Sequence, residues 1–582
     1  MVLPDPPEGI LTATRDAMNL AATVRAYRLC AMRKAVFLLA STVFMAGVGF
    51  SVVVLADSHE DSAALDVVIA GGRVIDPESG LDAIRNVGVR GGKIVDISEQ
   101  PLQGKQTIDA HGLVVAPGFI DLHEHGQEPR NYEFQAHDGV TTSLELEVGT
   151  ADVVAWYAKR QGHSLINHGV SVGHIPVRMA VMHDPGSFTP VGDAAHHTAT
   201  PAELQQIDAG IERGLESGAL AVGMGINYTA AASHGEIVDV FKVAAAHGAS
   251  VHVHLRYNGL KEPHTGLAAV EEVIAAAAST GAPLHVVHIT SMGLQDTPRL
   301  IEMVEGARKR GLDVTTEAYP YPAGSTSIES AVFDPGWQES MGITYKDLQW
   351  AKTGERLTAE SFEKYRKEGG IVIIFSIPES AVREALADPI VMVASDGMPI
   401  TGSKVHPRGQ GTFSRVLGHY VREEKTLDLM TALRKMTLLP AQRLEKRAPM
   451  FQNKGRIRVG ADADITNHAQ AKALVSRLMA SRKPEDRVRM VGQARLIEAY
   501  ERSRWPRRAP GLPDLLNYLM DQHGLSRSDL VPLLGTASRV SEVMNGKREL
   551  SMTMVRKLRE RFQISADLLI SVPSPRRAPV AA

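Results

Sequence analysis

The fold is decided by the stretch Pro117-Gly-Phe-Ile-Asp-Leu-His-Glu-His125, in which a short apolar run ends in two histidines. Side chains alternate along a strand, so His123 and His125 would lie on the same side of it. A (β/α)8 barrel brings side chains from the C-terminal ends of several strands to one mouth. The sequence therefore predicts an α/β fold, a (β/α)8 TIM barrel, whose mouth binds a metal. Four further candidate ligands follow apolar runs along the chain: Glu147, His254, His288 and Asp396.

Length, charge and cysteine content limit the class of protein. The 582 residues suit a barrel of about 250 residues with additional segments. The net charge of -3 gives no overall attraction to nucleic acid or acidic membranes. The one cysteine, Cys30, precedes the predicted mature protein, so disulfides and thiolate ligands are excluded. Nitrogen and oxygen ligands favour Zn²⁺, as one ion or two, with Mn²⁺, Co²⁺ or Fe²⁺ as alternatives.

The N-terminal region carries the pattern of a secretory signal. Met32-Arg-Lys34 precedes an apolar stretch that ends with Val54-Leu-Ala56. This pattern predicts a signal peptide over residues 32–56 and a periplasmic or secreted protein, with an uncleaved membrane anchor as the alternative. Residues 1–31 fit no signal pattern, so we interpret them as a non-native extension with translation starting at Met32.

Changes of pattern divide the rest of the chain. Residues 65–114 alternate like short strands, and residues 446–465 return to such strands, which predicts a small, truncated β-domain beside the barrel. Residues 115–445 alternate apolar runs with helical patterns, as βα units do. Within them, helices are predicted over 201–217, 236–246, 266–278 and 297–310. Beyond the β-domain we predict a helical linker region, an all-α helix-turn-helix domain and a disordered tail, over 466–510, 511–571 and 572–582.

Asp396 is the candidate catalytic residue as well as a ligand. A divalent metal bound by imidazole and carboxylate lowers the pKa of bound water to near ~7. A neighbouring carboxylate can then take the proton and return it to the leaving nitrogen. Asp396, in Val393-Ala-Ser-Asp-Gly397 at the end of the last predicted barrel strand, suits that role. We expect His252 and His285, which precede His254 and His288, to be core or supporting residues.

Several runs resemble the N-acyl-D-amino-acid deacylases (D-aminoacylases) of the amidohydrolase superfamily, over about residues 65–465. The resemblance implies deacylation of a small N-acyl-D-amino acid. It also implies that Arg408 binds the substrate α-carboxylate with Tyr319 and Ser325, and Arg256 is a further candidate. The matching runs are His254-Leu-Arg256, Ala318-Tyr-Pro-Tyr-Pro-Ala-Gly-Ser325, Ser395-Asp-Gly397, His406-Pro-Arg-Gly-Gln-Gly-Thr-Phe413, Gly418-His-Tyr-Val-Arg422 and Arg434-Lys-Met-Thr437.

One position departs from that family, which commonly has a cysteine ligand at the end of the second strand. This chain has Glu145 and Glu147 there. In a regular strand the two side chains share a face, and Glu147 lies nearer the mouth. We therefore expect Glu147 to be the ligand, with Glu145 as the alternative. Among enzymes the second choice is a cyclic amidase of the hydantoinase or dihydroorotase type, which the Tyr-Pro-Tyr and His-Pro-Arg runs disfavour.

The C-terminal region has the spacing of a helix-turn-helix. Helices are predicted over 526–534 and 538–545, separated by Gly535-Thr-Ala537. The region from about 477 to 570 resembles Cro/C1-type (XRE) antitoxins. That resemblance implies binding of duplex DNA, with a toxin or a second copy of the chain as partner. By position in the fold, the side chains that would face bases are Ser538, Arg539, Ser541 and Glu542. Those that would contact phosphate are Lys547 and Arg548.

The alternative of a different class is a DNA-binding antitoxin or transcriptional regulator that carries an inactive barrel. An exported hydrolase and an operator-binding protein act in different compartments. The abrupt change of composition at Thr466 therefore favours a join of two gene fragments, in which case the helix-turn-helix module would be cytoplasmic.

Overall fold

A computed structural model describes residues 64–400, 406–466, 512–523 and 525–562. The predicted extension and signal segment, most of the linker region and the tail lie outside the described residues. No helix in the described ranges is long and apolar enough to cross a membrane.

A small β-sheet precedes the barrel. Its first five strands are β1 (Leu65–Asp76), β2 (Leu81–Arg90), β3 (Lys93–Ser98), β4 (Gly104–Asp109) and β5 (Val114–Pro117). The last described strand of the barrel region, Ile465–Thr466, pairs antiparallel with β5. The segment before it contributes Ile457 and Ala461 to the buried core of this sheet, beside Val74 and Val115. The sheet is therefore built from both ends of the barrel region.

Eight parallel strands follow as one sheet, and each neighbour in the sheet is also the next barrel strand along the chain. They are β6 (Phe119–Asp121), β7 (Val140–Thr150), β8 (Asn167–Gly173), β9 (Ala221–Gly225), β10 (Ser250–His254), β11 (Leu284–Val286), β12 (Val314–Ala318) and, after an insertion, β16 (Val391–Val393). The first and last strands meet just beyond their ends. Asp396 N donates to His123 O at 2.7 Å, and His125 N donates to Gly397 O at 2.8 Å. These bonds close the predicted barrel.

Helices cover the outside of the barrel. The helix Pro201–Glu216 shows why they form where they do: Thr200 and Glu203 make a reciprocal capping box, and Ile207 and Ile211 face the core. The other helices of this region are Pro129–His137, Val153–Arg160, His174–Val181, Asp193–His196, His234–Ala246, Gly266–Thr280, Ile289–Gly293, Thr297–Lys309, Glu379–Ala387, Arg408–Arg415, Leu429–Met436 and Leu438–Leu444, with a π-helical segment at Val416–Glu423.

An insertion between β12 and β16 forms a second small sheet. Its strands are β13 (Gly324–Ser327), β14 (Leu348–Trp350) and β15 (Ile371–Ile374), with β15 in the middle and antiparallel to both neighbours. The helices Trp337–Met341 and Ala359–Glu368 belong to it. Its own apolar core includes Phe333, Trp350 and Phe362.

The described C-terminal residues form four helices, Leu512–His523, Val531–Leu534, Ala537–Met544 and Met552–Phe562. A 3₁₀ turn at Arg527–Leu530 precedes the second of them, so the helix predicted over 526–534 is split. The helix predicted from 538 begins one residue earlier, because Thr536 caps it by accepting from Arg539 N. Leu516, Val543 and Leu558 are buried in a shared core.

Candidate metal centre and active site

Four predicted ligands converge at the mouth of the barrel. His123 Nε2 lies 2.6 Å from Glu147 Oε2 and 3.5 Å from Asp396 Oδ1. His125 Nε2 lies 3.2 Å from His123 Nε2 and 3.3 Å from Asp396 Oδ1. All four side chains are buried, the most exposed being Asp396 at 10%. Donors around one tetrahedral zinc ion lie about 3.4 Å apart, so most of these separations suit a shared ion.

A second group shares Glu147 with the first. His254 Nδ1 lies 3.0 Å from Glu147 Oε1, and His288 Nε2 lies 3.9 Å from Glu147 Oε2. Glu147 Oε1 thus faces His254, while Glu147 Oε2 lies nearest to His123, His125 and His288, so this one carboxylate belongs to both groups. Burial lowers the pKa of His288 to about 3, so the imidazole is neutral and can donate a lone pair. The six predicted ligands are therefore brought together, and their donor atoms fit one or two divalent ions.

Two carboxylates orient the first histidine pair. Glu317 Oε1 accepts from His123 Nδ1 at 2.7 Å, and Glu145 Oε2 accepts from His125 Nδ1 at 2.6 Å. These bonds turn both Nε2 atoms toward the shared space. Glu145, the alternative ligand, therefore lies behind His125 and outside the ligand groups. Glu317 was not among the predicted residues, although a carboxylate within the buried strand β12 was a signal that could have indicated it.

Glu317 also contacts the second expected supporting histidine, since His285 Nε2 lies 3.0 Å from its Oε2. Burial alone would raise the pKa of Glu317, but the hydrogen bonds from His123 and His285 lower it to about 2. Glu317 is thus ionised and can hold the His123 ring in one tautomer. His252 lies fully buried beside Ser250 and His285 and does not contact the ligand groups.

We expect Glu317→Gln to weaken metal binding about 10–100-fold, because the amide no longer fixes the His123 tautomer. Competition with a chromophoric chelator measures the zinc dissociation constant directly. Glu305→Gln, on the outer helix Thr297–Lys309, is the matched control. An unchanged dissociation constant in Glu317→Gln would refute the orienting role.

Backbone conformation directs two of the ligands. His288 has φ 31° and Asp396 has φ 52°, both in the left-handed region. Non-glycine residues rarely adopt this conformation, which costs on the order of 1 kcal/mol or more and is concentrated at functional sites. The unusual turns come directly after β11 and β16 and place both side chains at the mouth. The local strain therefore coincides with the predicted metal centre.

Beside the ligands lies a cavity with about 620 Å³ of empty volume. Arg408, Tyr319 and Ser325, the three residues predicted to bind a substrate carboxylate, all line it. The Arg408 guanidinium spans both oxygens of Asp396, with Nη1 2.8 Å from Oδ2 and Nη2 2.9 Å from Oδ1. Within the described residues, the buried Arg408 Nε and Ser325 Oγ have no hydrogen-bond partner. Two unsatisfied buried polar atoms facing one cavity indicate a polar ligand.

Asp396 is ionised in this setting. Burial alone would raise the pKa of its carboxyl, but the Arg408 guanidinium and the His123 imidazole hold that pKa well below its usual range. Burial raises the pKa of Tyr319 to about 12, so its hydroxyl stays protonated and can donate a hydrogen bond. The cavity therefore combines an ionised carboxylate, a cation and a neutral donor.

Arg256 does not join this cavity, contrary to the expectation for it. Its guanidinium is paired with Glu272, with Nη2 2.8 Å from Oε1, and Nη1 donates to Ala230 O at 2.8 Å. The Arg256 guanidinium is thus buried against Glu272 and Ala230, and Arg256 is not among the residues that line the cavity. The partner, sixteen residues further along the chain, was not apparent from the His-Leu-Arg run.

Comparison with known proteins agrees with this geometry. The model of the amidohydrolase family matches residues 178–491. An N-acyl-D-glutamate deacylase of Alcaligenes xylosoxydans xylosoxydans is 30% identical over 451 residues, 69% of this chain and 86% of the relative. The chain belongs to the amidohydrolase family. This amidohydrolase acts on carbon–nitrogen bonds other than peptide bonds. A D-aminoacylase of the same organism is 29% identical over 461 residues, 70% of this chain and 89% of the relative.

Solved structures are similar to this amidohydrolase as well. One is an N-acyl-D-glutamate deacylase from Bordetella bronchiseptica complexed with zinc and a phosphonate inhibitor, at 28% identity and a TM-score of 0.59, covering 69% of this chain and 90% of that one. A D-aminoacylase mutant in complex with CuCl₂ has 27% identity, the same TM-score and the same coverages. The predicted barrel and family are thus confirmed. None of these matches supports the antitoxin resemblance, which stays a prediction.

Proposed function

We propose that this amidohydrolase cleaves the amide bond of N-acyl-D-amino acids, releasing a carboxylate and a free D-amino acid. The observation that carries the proposal is the Arg408 guanidinium, buried in the cavity and directly beside the ligand groups at Asp396. Such a fork suits bidentate binding of a carboxylate one or two bonds from the scissile amide. The named relatives, an N-acyl-D-glutamate deacylase and a D-aminoacylase, act on substrates with that arrangement.

Zinc, as one ion or two, would be held by two groups of residues that share Glu147. The first group is His123, His125, Glu147 and Asp396, and the second is Glu147, His254 and His288. When bound, such an ion polarises the substrate carbonyl and acidifies water. The donor set contains no sulfur, so other divalent ions of similar preference can replace zinc.

Substrate binding and proton transfer are assigned to side chains of the cavity. Arg408 and Ser325 hold the α-carboxylate, and Tyr319 donates to it from the same wall of the cavity. Ionised Asp396 accepts the proton of the attacking water at its carboxylate and passes it to the amide nitrogen as the carbon–nitrogen bond breaks. Arg408 lies against Asp396 before substrate arrives, so it keeps that carboxylate ionised and oriented until the substrate carboxylate competes for the guanidinium.

The test is release of free amine from N-acetyl-D-leucine and N-acetyl-L-leucine by the purified full chain. We expect turnover of the D enantiomer to exceed that of the L enantiomer by at least about 100-fold, since the L form misplaces either its carboxylate or its side chain and such misplacement costs about that factor. Dihydroorotate and a substituted hydantoin are assayed in parallel. Turnover of a cyclic amide without turnover of N-acyl amino acids would replace this proposal with the cyclic amidase.

A second function, binding of duplex DNA, is proposed for the C-terminal helices. In the helix Ala537–Met544 the side chains of Ser538, Arg539 and Ser541 are exposed, while Val540 and Val543 pack inward. The polar face of this helix is therefore exposed and could enter a groove of duplex DNA. Arg548, predicted to contact phosphate, forms an exposed ion pair at 2.7 Å with Glu542, predicted to face bases.

Fluorescence anisotropy of the full chain with labelled duplex DNA tests this second function. Binding that weakens with salt and is lost in Arg539→Glu, but not in Asp396→Asn, would support it. An unchanged anisotropy at micromolar protein would rule out this second function.

We further propose that residues 32–56 direct export. Fractionation of the native cells tests this by showing which compartment contains the chain.

A further inference from the structure

A second cavity, open to solvent, lies beside His125, with about 1170 Å³ of empty volume that includes the solvent at its mouth. It shares three lining residues with the catalytic cavity, His125, Val148 and Phe188. None of the residues assigned to the substrate carboxylate lines it. The two cavities therefore meet at the candidate ligand His125, with the carboxylate-binding residues on one side only.

Phe188 is held at this junction by a structured loop. The Asp184 carboxylate accepts from four backbone amides, those of Gly186, Val191, Gly192 and Ala194, at 2.8–3.1 Å. At the tip of the loop the Phe188 ring packs edge-on against His125, with 5.2 Å between ring centroids. Because the loop is fixed around Asp184, the Phe188 ring holds a defined position where the two cavities meet.

The lining of the second cavity combines apolar side chains with polar groups, several of which are already hydrogen-bonded within the protein. Val148, Met179 and Ala180 contribute apolar surface, and Trp156 closes one side under the Arg160 guanidinium at 3.9 Å. Glu145 and Arg160, two charged residues of the lining, are already hydrogen-bonded within the protein. Glu145 accepts from Val148 N and from His125, and Arg160 donates to Gln127 O and Trp156 O. Arg160 Nη2 also lies 3.6 Å from the Glu128 carboxylate, so neither Glu145 nor Arg160 is an unpaired charge for an acyl group to contact.

We propose that the second cavity is the acyl subsite and that it accepts uncharged acyl chains longer than acetyl. The inference rests on the proposed function. With the α-carboxylate at Arg408 and the scissile carbonyl at the metal centre, the amino-acid half lies in the catalytic cavity. The acyl half then continues past His125 and Phe188 into the second cavity, which has far more volume than an acetyl group fills.

The test compares kcat/KM for N-octanoyl-D-leucine with kcat/KM for N-acetyl-D-leucine. Ala180→Trp adds a large side chain to the second cavity from an exposed position of the helix His174–Val181, so the core need not move. We expect this variant to lower the octanoyl-to-acetyl ratio at least about tenfold, the effect of removing space for a methylene group or more. Val154→Trp is the control, because Val154 is 64% exposed and lines neither cavity.

In the control the ratio should stay within about twofold of that of the unsubstituted chain, as for other surface changes. An octanoyl-to-acetyl ratio unchanged in Ala180→Trp, with acetyl turnover intact, would overturn the acyl subsite alone. Absence of turnover of both substrates by the unsubstituted chain would overturn the proposed function itself. If Ala180→Trp melts at a lower temperature than the control, Ala180→Leu is measured in its place, with the same direction expected.

Discussion

We expect Asp396→Asn to lower kcat by about 10²–10⁴-fold, the contribution of a positioned acid–base group. Asparagine keeps the size and one oxygen of the side chain but cannot accept the proton of the attacking water. The native carboxylate can do so because Arg408 and His123 outweigh the effect of burial on its pKa. Steady-state amine release from N-acetyl-D-leucine measures the loss.

Zinc content separates this catalytic loss from simple loss of a ligand. If Asp396→Asn retains metal but not turnover, the proton-transfer role accounts for the effect. Asp239→Asn, on the outer helix His234–Ala246, is the matched control and should behave as the unsubstituted protein. Turnover by metal-loaded Asp396→Asn within about threefold of normal would contradict the assignment, because such a change lies far below a general-base contribution.

Arg408→Lys is expected to lower kcat/KM by about 10²–10³-fold, mainly through KM, because a lysine keeps the charge but loses the two-pronged fork. The full loss of charge in Arg408→Met has a further consequence for Asp396. Without the guanidinium 2.8 Å away, the pKa of the Asp396 carboxyl rises toward its usual range. Since Asp396 must be ionised to accept a proton, the acidic limb of the pH profile moves to higher pH.

Arg256→Lys provides the matched control for Arg408→Lys. The Arg256 guanidinium faces Glu272 and not the cavity, so a lysine there should leave KM for the acyl amino acid close to normal. If Arg256→Lys raises KM as much as Arg408→Lys does, the guanidinium that binds substrate has been assigned to the wrong residue. An unmoved acidic limb in Arg408→Met would show that Arg408 does not control Asp396.

Local sequence pattern was sufficient to predict the barrel and its candidate ligands. Apolar β-branched runs mark the strands, and polar residues at their ends must share the mouth of a parallel barrel. Helix ends were also predictable, as at 201–217, where Thr200 and Pro201 give a capping signal and the helix is Pro201–Glu216. The amidohydrolase motifs then narrowed the chemistry to amide hydrolysis.

What local pattern missed depends on contacts between distant residues. Glu317 meets His123 across 194 positions, so neither residue alone indicates the pairing. Alternation places Glu145 and Glu147 on one face of β7, so the sequence favoured Glu147 only by its position nearer the mouth. The hydrogen bond between His125 and Glu145 joins residues 20 positions apart and gave no local signal. Arg256 matched a family motif, and its pairing with Glu272, sixteen residues along the chain, could not be read from that motif. Nothing in the local sequence indicated Phe188, because its place beside His125 depends on the loop that is held around Asp184.

Metal removal and restoration tests the central claim most directly. The full chain is dialysed against a chelator until less than about a tenth of an equivalent of metal remains, and D-selective turnover is measured before and after zinc is returned. The six converging side chains predict loss of turnover in proportion to metal and recovery at one or two equivalents of Zn²⁺. Full turnover by the metal-free protein would contradict the assignment of this cluster as the catalytic metal centre.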